Sequence, residues 1–155
     1  MWRESAKSLT RGNLYHEMSG YRPHFTFIVE LPGGQDRLRQ MILYVAQQCS
    51  DAKRFGLIKL NKIIWRADFR SFATRGIPVT GRSYQRLVWG PAAKEMRPLY
   101  DEMLRTGLIR IELVDFGFDD AGEPVIERRT IPLVEPNLQN FTNQDLEFIN
   151  HSVYH

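Results

Sequence analysis

The chain of 155 residues contains a single cysteine and no apolar run near the ~20 residues that a bilayer-spanning helix requires. Cys49 cannot form an internal disulfide, so nothing in the sequence points to an oxidising compartment. The amino-terminal residues are mixed and polar, without the apolar centre of a signal peptide. These absences predict a cytoplasmic protein that has no membrane partner and that buries Cys49 as a small hydrophobic side chain.

Motifs that carry catalysis are also absent. The sequence has no Gly-x-Ser-x-Gly nucleophile turn, no Gly-x-x-x-x-Gly-Lys phosphate loop and no Cys-x-x-Cys pair. His151 and His155 have the spacing of one helical face, but zinc requires further ligands, and Ser152 occupies the position of the metalloprotease glutamate. We therefore expect no metal, no cofactor and no enzymatic activity. Asp68 is interpreted as an ion-pair or capping partner rather than a general base.

Composition is that of one soluble domain, with 43% hydrophobic and 25% charged residues. The net charge of +3 conceals an asymmetry along the chain. Residues 53–110 contain thirteen basic and four acidic residues, a net charge of +9, whereas residues 111–155 contain two basic and nine acidic residues, a net charge of −7. This distribution indicates an acidic partner, or docking of the two segments on each other.

Hydrophobic spacing and breaker residues divide the chain into elements. Residues 1–35 are interpreted as an extension with one short strand, within residues 25–31, that ends at Pro32. Apolar residues at helical spacing predict helices at residues 36–49 and 58–74, with Gly76 as a left-handed stop.

The second half predicts further helices and a hairpin. Tyr84 to Trp89 favours a short strand or an extended crossing, and Gly90-Pro91 favours the start of a helix that reaches about Thr106 and is kinked at Pro98. Residues 108–114 and 125–133 are predicted to form an antiparallel hairpin, and Thr142 to cap a last helix with Asp145. The predicted fold class is α+β and mainly helical: a compact helical domain with an antiparallel β-hairpin, winged-helix-like in outline.

Cations recur along the second predicted helix at positions i, i+3, i+7 and i+11, which aligns them on one face; we call this set the basic stripe: Lys59, Lys62, Arg66 and Arg70. Arg82 and Arg86 follow it. A solvated face, an acidic protein surface and a nucleic acid all remain open as explanations. The aromatic residues Trp65, Tyr84 and Trp89 are too far apart in sequence to indicate a stacking platform, so we expect them in the core.

Several short motifs together carry a family resemblance. They are Leu60-Asn61-Lys62-Ile63-Ile64-Trp65-Arg66-Ala67-Asp68, then Pro78-Val79-Thr80-Gly81, Tyr84, Trp89-Gly90-Pro91 and Gly107-Leu108-Ile109. In these motifs the chain resembles the SocA-like or GepA-like "Panacea" antitoxin family, over residues 36–155. The resemblance implies a largely helical bacterial antitoxin, often of prophages or other mobile elements, that binds a cognate protein toxin directly and has no catalytic residue.

The resemblance also implies roles for particular residues. The motif positions are expected to be structural: Leu60, Trp65, Asp68, Pro78, Thr80, Gly81, Tyr84, Trp89, Gly90 and Pro91. Partner binding is assigned, from charge and helical spacing and not from the resemblance, to the basic stripe with Arg82 and Arg86, which we expect to contact an acidic protein surface. Family members continue past the last helix into a segment with a Ser-x-x-His stretch, so we expect this domain to lack that segment or to be completed by its partner. The alternative function is a winged-helix-type DNA-binding transcriptional regulator, whose binding would weaken steeply with salt.

Overall fold

The computed structural model describes residues 24–26 and 29–155 of the chain. Over these residues it contains four α-helices and five β-strands. In chain order they are β1 (His24–Thr26), α1 (Asp36–Gln48), α2 (Leu57–Arg75), β2 (Ser83–Leu87), β3 (Gly90–Ala93), α3 (Met96–Arg105), β4 (Ile109–Phe118), β5 (Pro124–Pro132) and α4 (Asn143–Tyr154). The α+β class is confirmed, including the antiparallel hairpin that follows a helix.

The strands form two separate antiparallel sheets. The first has the order β1-β2-β3, and Tyr84 at its centre is paired with Phe25 on one side and Ala93 on the other. The second is the two-stranded β4-β5 ribbon, which is paired from Ile109–Pro132 to Phe118–Pro124 and has an irregular register between Asp115 and Phe118. Of the short strand predicted within residues 25–31, residues 27 and 28 lie outside the described part of the chain.

The core lies between α1 and α2, and the other helices and the sheets close it. Leu38, Ile42, Leu60 and Ile64 are almost fully buried in this cluster, as are residues of α3 and α4 such as Met103 and Ile149. Each fully buried aliphatic side chain of this size contributes about 1.5–3 kcal/mol to stability. The predicted apolar stripes of the first two helices are therefore confirmed as core, and Cys49 is buried beside them.

The ends of the helices follow from particular residues. Gly76 ends α2 in the left-handed conformation, with φ of +75°, as the sequence predicts. At the start of α4, the Thr142 hydroxyl accepts from the Asp145 amide at 3.1 Å, and the Asp145 carboxylate accepts from the Thr142 amide at 2.9 Å. Asp145 thus completes a reciprocal capping box in place of the more usual glutamate.

The prediction that a helix starts at Gly90-Pro91 is wrong. Gly90–Ala93 pairs with β2 as strand β3, and the following helix begins only at Met96. Two features explain the difference: β2 supplies a neighbouring strand to pair with, and Gly90 has a φ of +126°, outside the helical range. Pro98 therefore falls in the first turn of α3, where its missing amide hydrogen costs nothing, and it produces no interior kink.

The β4-β5 ribbon is longer than predicted and leaves the core along its length. Ile109 at its base is buried and Ile111 is half-buried, but Leu113 is 64% exposed. On β4, Leu113 is therefore exposed in line with Ile109 and Ile111, whereas β5 alternates between exposed and less exposed positions from Pro124 to Thr130.

Candidate functional site: a basic face on α2

The four cations of the basic stripe lie along α2 beside the end of α4. Lys59, Lys62 and Arg70 are exposed, and Arg66 is half-buried and donates to the Ser152 carbonyl at 3.4 Å. Three of the four cations line an open cavity of about 410 Å³ between the two helices. Its lining residues are Lys59, Lys62, Ile63, Arg66, Ser152, Val153, Tyr154 and His155.

The ion pairs of the described residues do not include any stripe cation. Docking of the acidic carboxy-terminal segment on the stripe was one of two explanations left open by the charge distribution, but the buried carboxylate of that segment, Asp145, pairs with Arg37 and Arg75. The remaining ion pairs between described residues use Arg39, Arg82, Arg97 and Arg110. The positive charge of the stripe is therefore presented to solvent in this part of the chain.

Two histidines, His151 in α4 and His155 directly after it, lie beside the same face. The rings of His151 and His155 stack with their centroids 4.6 Å apart. The pKa of His151 lies below its ordinary value because of local desolvation and because Arg70, His155 and Arg66 repel a further positive charge. Within residues 24–26 and 29–155, no three histidine, cysteine or carboxylate side chains are grouped closely enough to hold a metal. Ser152 and His155 also have the Ser-x-x-His spacing that the family resemblance led us to expect in a further segment.

Asp68 lies at the centre of the motif residues and is fully buried under the basic face. One of its oxygens accepts from the backbone amides of Val79 and Thr80, both at 2.7 Å. The other accepts from the Thr80 and Tyr84 hydroxyls. This one side chain therefore ties α2 to the 78–81 turn and to β2 through hydrogen bonds from neutral donors, and it is absent from the ion pairs of the described residues.

Burial dominates the electrostatics of this cluster. It raises the pKa of Asp68, while the hydrogen bonds from Thr80, Tyr84 and Val79 act in the opposite direction. It also raises the pKa of Tyr84 well above its ordinary value, and the Asp68 carboxylate adds to that shift. Neither group is exposed, so the cluster holds the fold and offers no surface for chemistry.

The glycine of the same turn is required by its surroundings. Gly81 has a φ of +71°, and a Cβ atom there would lie 2.5 Å from the carbonyl oxygen of Val29. Both the left-handed backbone and the close approach exclude a larger residue without a shift of the chain. Leu60, Pro78 and Thr80 are buried nearby, as expected for structural positions.

Arg37 is a structural centre that the sequence did not reveal. Its guanidinium donates to the Val79 carbonyl at 2.7 Å, to the Asn140 carbonyl at 2.5 Å and to Asp145 at 3.0 Å, and it lies over the Phe141 ring. Asp145 also binds Arg75 at the end of α2. Burial raises the pKa of Asp145, but Arg75, the Thr142 amide and Arg37 outweigh it and lower that pKa overall.

The three aromatic residues expected in the core have different environments. Tyr84 is fully buried, and Trp65 is half-buried against Phe69 with ring centroids 4.6 Å apart. Trp89 is 72% exposed, so its expected burial is wrong. The reason is its place in the two-residue turn between Leu87 and Gly90, at the end of the β2-β3 hairpin and beyond the core.

Arg82 and Arg86, which were grouped with the basic stripe, occupy separate positions. Arg82 is only 13% exposed, pairs with Glu95 at 3.7 Å and lines another cavity, between the start of α1 and α3. Arg86 is exposed on β2 opposite Pro91. The structure thus brings together Lys59, Lys62, Arg66 and Arg70, and leaves Arg82 apart from them.

None of the helices in the described residues is both long and apolar enough to cross a membrane. A family model described as "Antitoxin SocA-like, Panacea domain" matches residues 60–155, which is more than half of the chain and includes all of the motif residues. Neither the curated proteins nor the solved structures contain a match to the chain.

Proposed function

Because the chain belongs to the SocA-like antitoxin family with a Panacea domain, we propose that it neutralises a cognate protein toxin by binding it directly. It does so in the bacterial cytoplasm, encoded beside its toxin on a prophage or other mobile element, and without catalysis of its own. The coarser role, in a toxin–antitoxin pair, follows from the family. The direct contact and its location on the molecule are the proposal.

One observation supports the location most: the basic stripe is a continuous row of cations without carboxylate partners among the described residues. Two of its exposed members, Lys59 and Lys62, line a cavity that an acidic segment of another protein could enter, and half-buried Arg66 lines it as well. Charged groups of this kind accelerate encounter with an oppositely charged partner and reject like-charged ones. Arg82 is already paired and only slightly exposed, so we assign the contact to the stripe and Arg86.

The buried cluster beneath the stripe supports a binding role as well. Asp68 and Arg37 fix α1, α2 and the 78–81 turn to one another by long-range hydrogen bonds. A surface held on rigid elements loses little conformational entropy when it binds. The face can therefore act as a preformed docking surface.

The charge of the β4-β5 ribbon argues against the DNA-binding alternative, in which this ribbon would serve as the wing. The ribbon and its turn expose five carboxylates, Glu112, Asp115, Asp119, Asp120 and Glu123, which would repel phosphates. The hairpin that would make the fold winged-helix-like thus carries the wrong sign of charge for a nucleic-acid contact.

A double charge reversal tests the proposal in cells that express the neighbouring toxin gene. We expect the double variant Lys62→Glu, Arg66→Glu to raise the amount of antitoxin required for neutralisation by at least about tenfold, because repulsion slows association and weakens the complex. Arg97→Glu with Arg110→Glu is the matched control, since both arginines are exposed and lie outside α2.

Abundance and melting temperature must be equal among the variants for the comparison to hold. Full neutralisation by the stripe variant would contradict the proposed contact. Loss of a tight, salt-sensitive interaction with duplex DNA in the same variant, with neutralisation intact, would instead support the regulator.

A further inference from the structure

Three consecutive apolar side chains are exposed at the end of the β2-β3 hairpin: Leu87 at 47%, Val88 at 93% and Trp89 at 72%. We call them the hairpin tip. Burial along β2 falls steadily towards it, from buried Ser83 and Tyr84 to exposed Arg86. Isolated exposed apolar residues are ordinary, but a contiguous group that contains tryptophan indicates an interaction site.

The tip is held in place by the rest of the hairpin. Tyr84 at its base is buried and bound to Asp68, and four residue pairs join β2 to β3 up to Leu87 and Gly90. The positive φ of Gly90 allows the chain to reverse directly after Trp89. Trp89 is therefore presented by a fixed turn rather than by a long loop.

The tip adjoins the basic stripe. Strand β3 packs against α2, and a Cβ atom at Gly90 would lie 3.6 Å from the Lys62 side chain. Arg86 is exposed on the other strand of the same hairpin. An apolar projection flanked by cations matches a partner surface with an apolar pocket and carboxylates at its rim.

Resting on the proposed function, we propose that the hairpin tip is the apolar anchor of the toxin contact, with Trp89 inserted into a pocket of the toxin. The basic stripe then contributes mainly to encounter and orientation, and the tip contributes most of the lasting affinity. Protein interfaces show this division, because tryptophan in a desolvated pocket dominates the binding energy while charges at the rim mainly change association rates.

Binding of the purified toxin encoded by the neighbouring gene tests the anchor. Trp89→Ala should weaken the equilibrium affinity by about 30-fold or more, chiefly through faster dissociation. Trp89→Phe should recover most of the loss. Phe118→Ala is the matched control, since Phe118 is 75% exposed at the end of β4 in the β4-β5 ribbon. Its truncation should leave the affinity within about twofold of the parent value. Because both side chains are exposed, all variants should melt within about 2 °C of the parent.

The outcomes separate the anchor from the proposed function. Toxin binding by Trp89→Ala within about threefold of the parent would overturn the anchor and leave direct toxin binding intact. Failure of the parent protein to bind the toxin would overturn the proposed function and the anchor with it. Binding of the parent to an oligonucleotide or to anionic phosphatidylglycerol vesicles that is lost in Trp89→Ala, with toxin affinity unchanged, would assign the tip to that ligand and overturn the anchor.

Discussion

At the scale of single residues, two buried aspartates show how surroundings set opposite electrostatic behaviour. Asp68 receives hydrogen bonds from neutral groups only, and burial raises its pKa. Asp145 is also buried, but two guanidinium groups lower its pKa. Burial without a charged partner therefore disfavours ionisation of Asp68, whereas the two arginines favour ionisation of Asp145.

Replacing Asp68 tests its role as the structural centre of the motif. Asp68→Ala leaves two backbone amides and two hydroxyls without this acceptor in the interior, which should cost about 3 kcal/mol or more. For a chain of this length we expect the melting temperature to fall by roughly 6–12 °C. The matched control is Asp101→Ala, since the Asp101 side chain is 56% exposed and makes only a surface ion pair with Arg97. Equal melting temperatures for the two variants would contradict the structural assignment.

At the scale of elements, the molecule is held by contacts that join distant segments of the chain. Arg37 lies in α1, Arg75 ends α2, and Asp145 opens α4, so one group of charges clamps three helices. The sequence could predict where these helices run, because their apolar spacing and caps are local. It could not predict the clamp, because Arg37 and Asp145 are 108 positions apart and neither stands out from other charged residues.

The β2-β3 hairpin shows a second limit of the sequence. Gly90-Pro91 fits both a helix start and a strand end, and only pairing with β2 decides between them. Trp89 was expected in the core because burial of a tryptophan is the common outcome. The turn that exposes it depends on the same pairing of β2 with β3 and is not visible in the motif. The basic stripe was predicted correctly as one helical face because its spacing is local to α2.

The clamp also makes a prediction about pH. The folded pKa of Asp145 is lowered, so the folded state binds fewer protons there than the unfolded state, and stability falls as the pH drops from about 5 through the folded pKa. The Asp145→Asn substitution should lower the free energy of unfolding by about 3 kcal/mol near pH 7, because Arg37 remains buried without its charge partner. The stability of this variant should also fall less than that of the parent when the pH is lowered.

Chemical unfolding of the parent and variant at pH 7, 5 and 3.5 measures both effects. Glu147→Gln, an exposed acid in the same helix, is the control and should follow the parent curve. If the free energy of unfolding depended on pH in the same way in the parent and in Asp145→Asn, the proposed clamp of Arg37, Arg75 and Asp145 would be contradicted. Asp68 is present in all three proteins, so its opposite pH dependence does not affect the comparison.

At the scale of the whole molecule, charge is divided between two surfaces. The basic stripe lies on α2, whereas the β4-β5 ribbon exposes carboxylates. The sequence revealed this asymmetry as a positive centre and a negative end, and it could not tell whether the two would neutralise each other. In the described residues the stripe is not paired, and a partner with acidic groups would complete it.

The most direct test of the account is calorimetric titration of the purified chain with the purified toxin of the neighbouring gene. We expect saturable binding at a fixed stoichiometry, loss of toxin activity at the same ratio, and an affinity that weakens as salt screens the basic stripe. Absence of any complex between the purified proteins, under conditions in which the chain fully neutralises the toxin in cells, would contradict it.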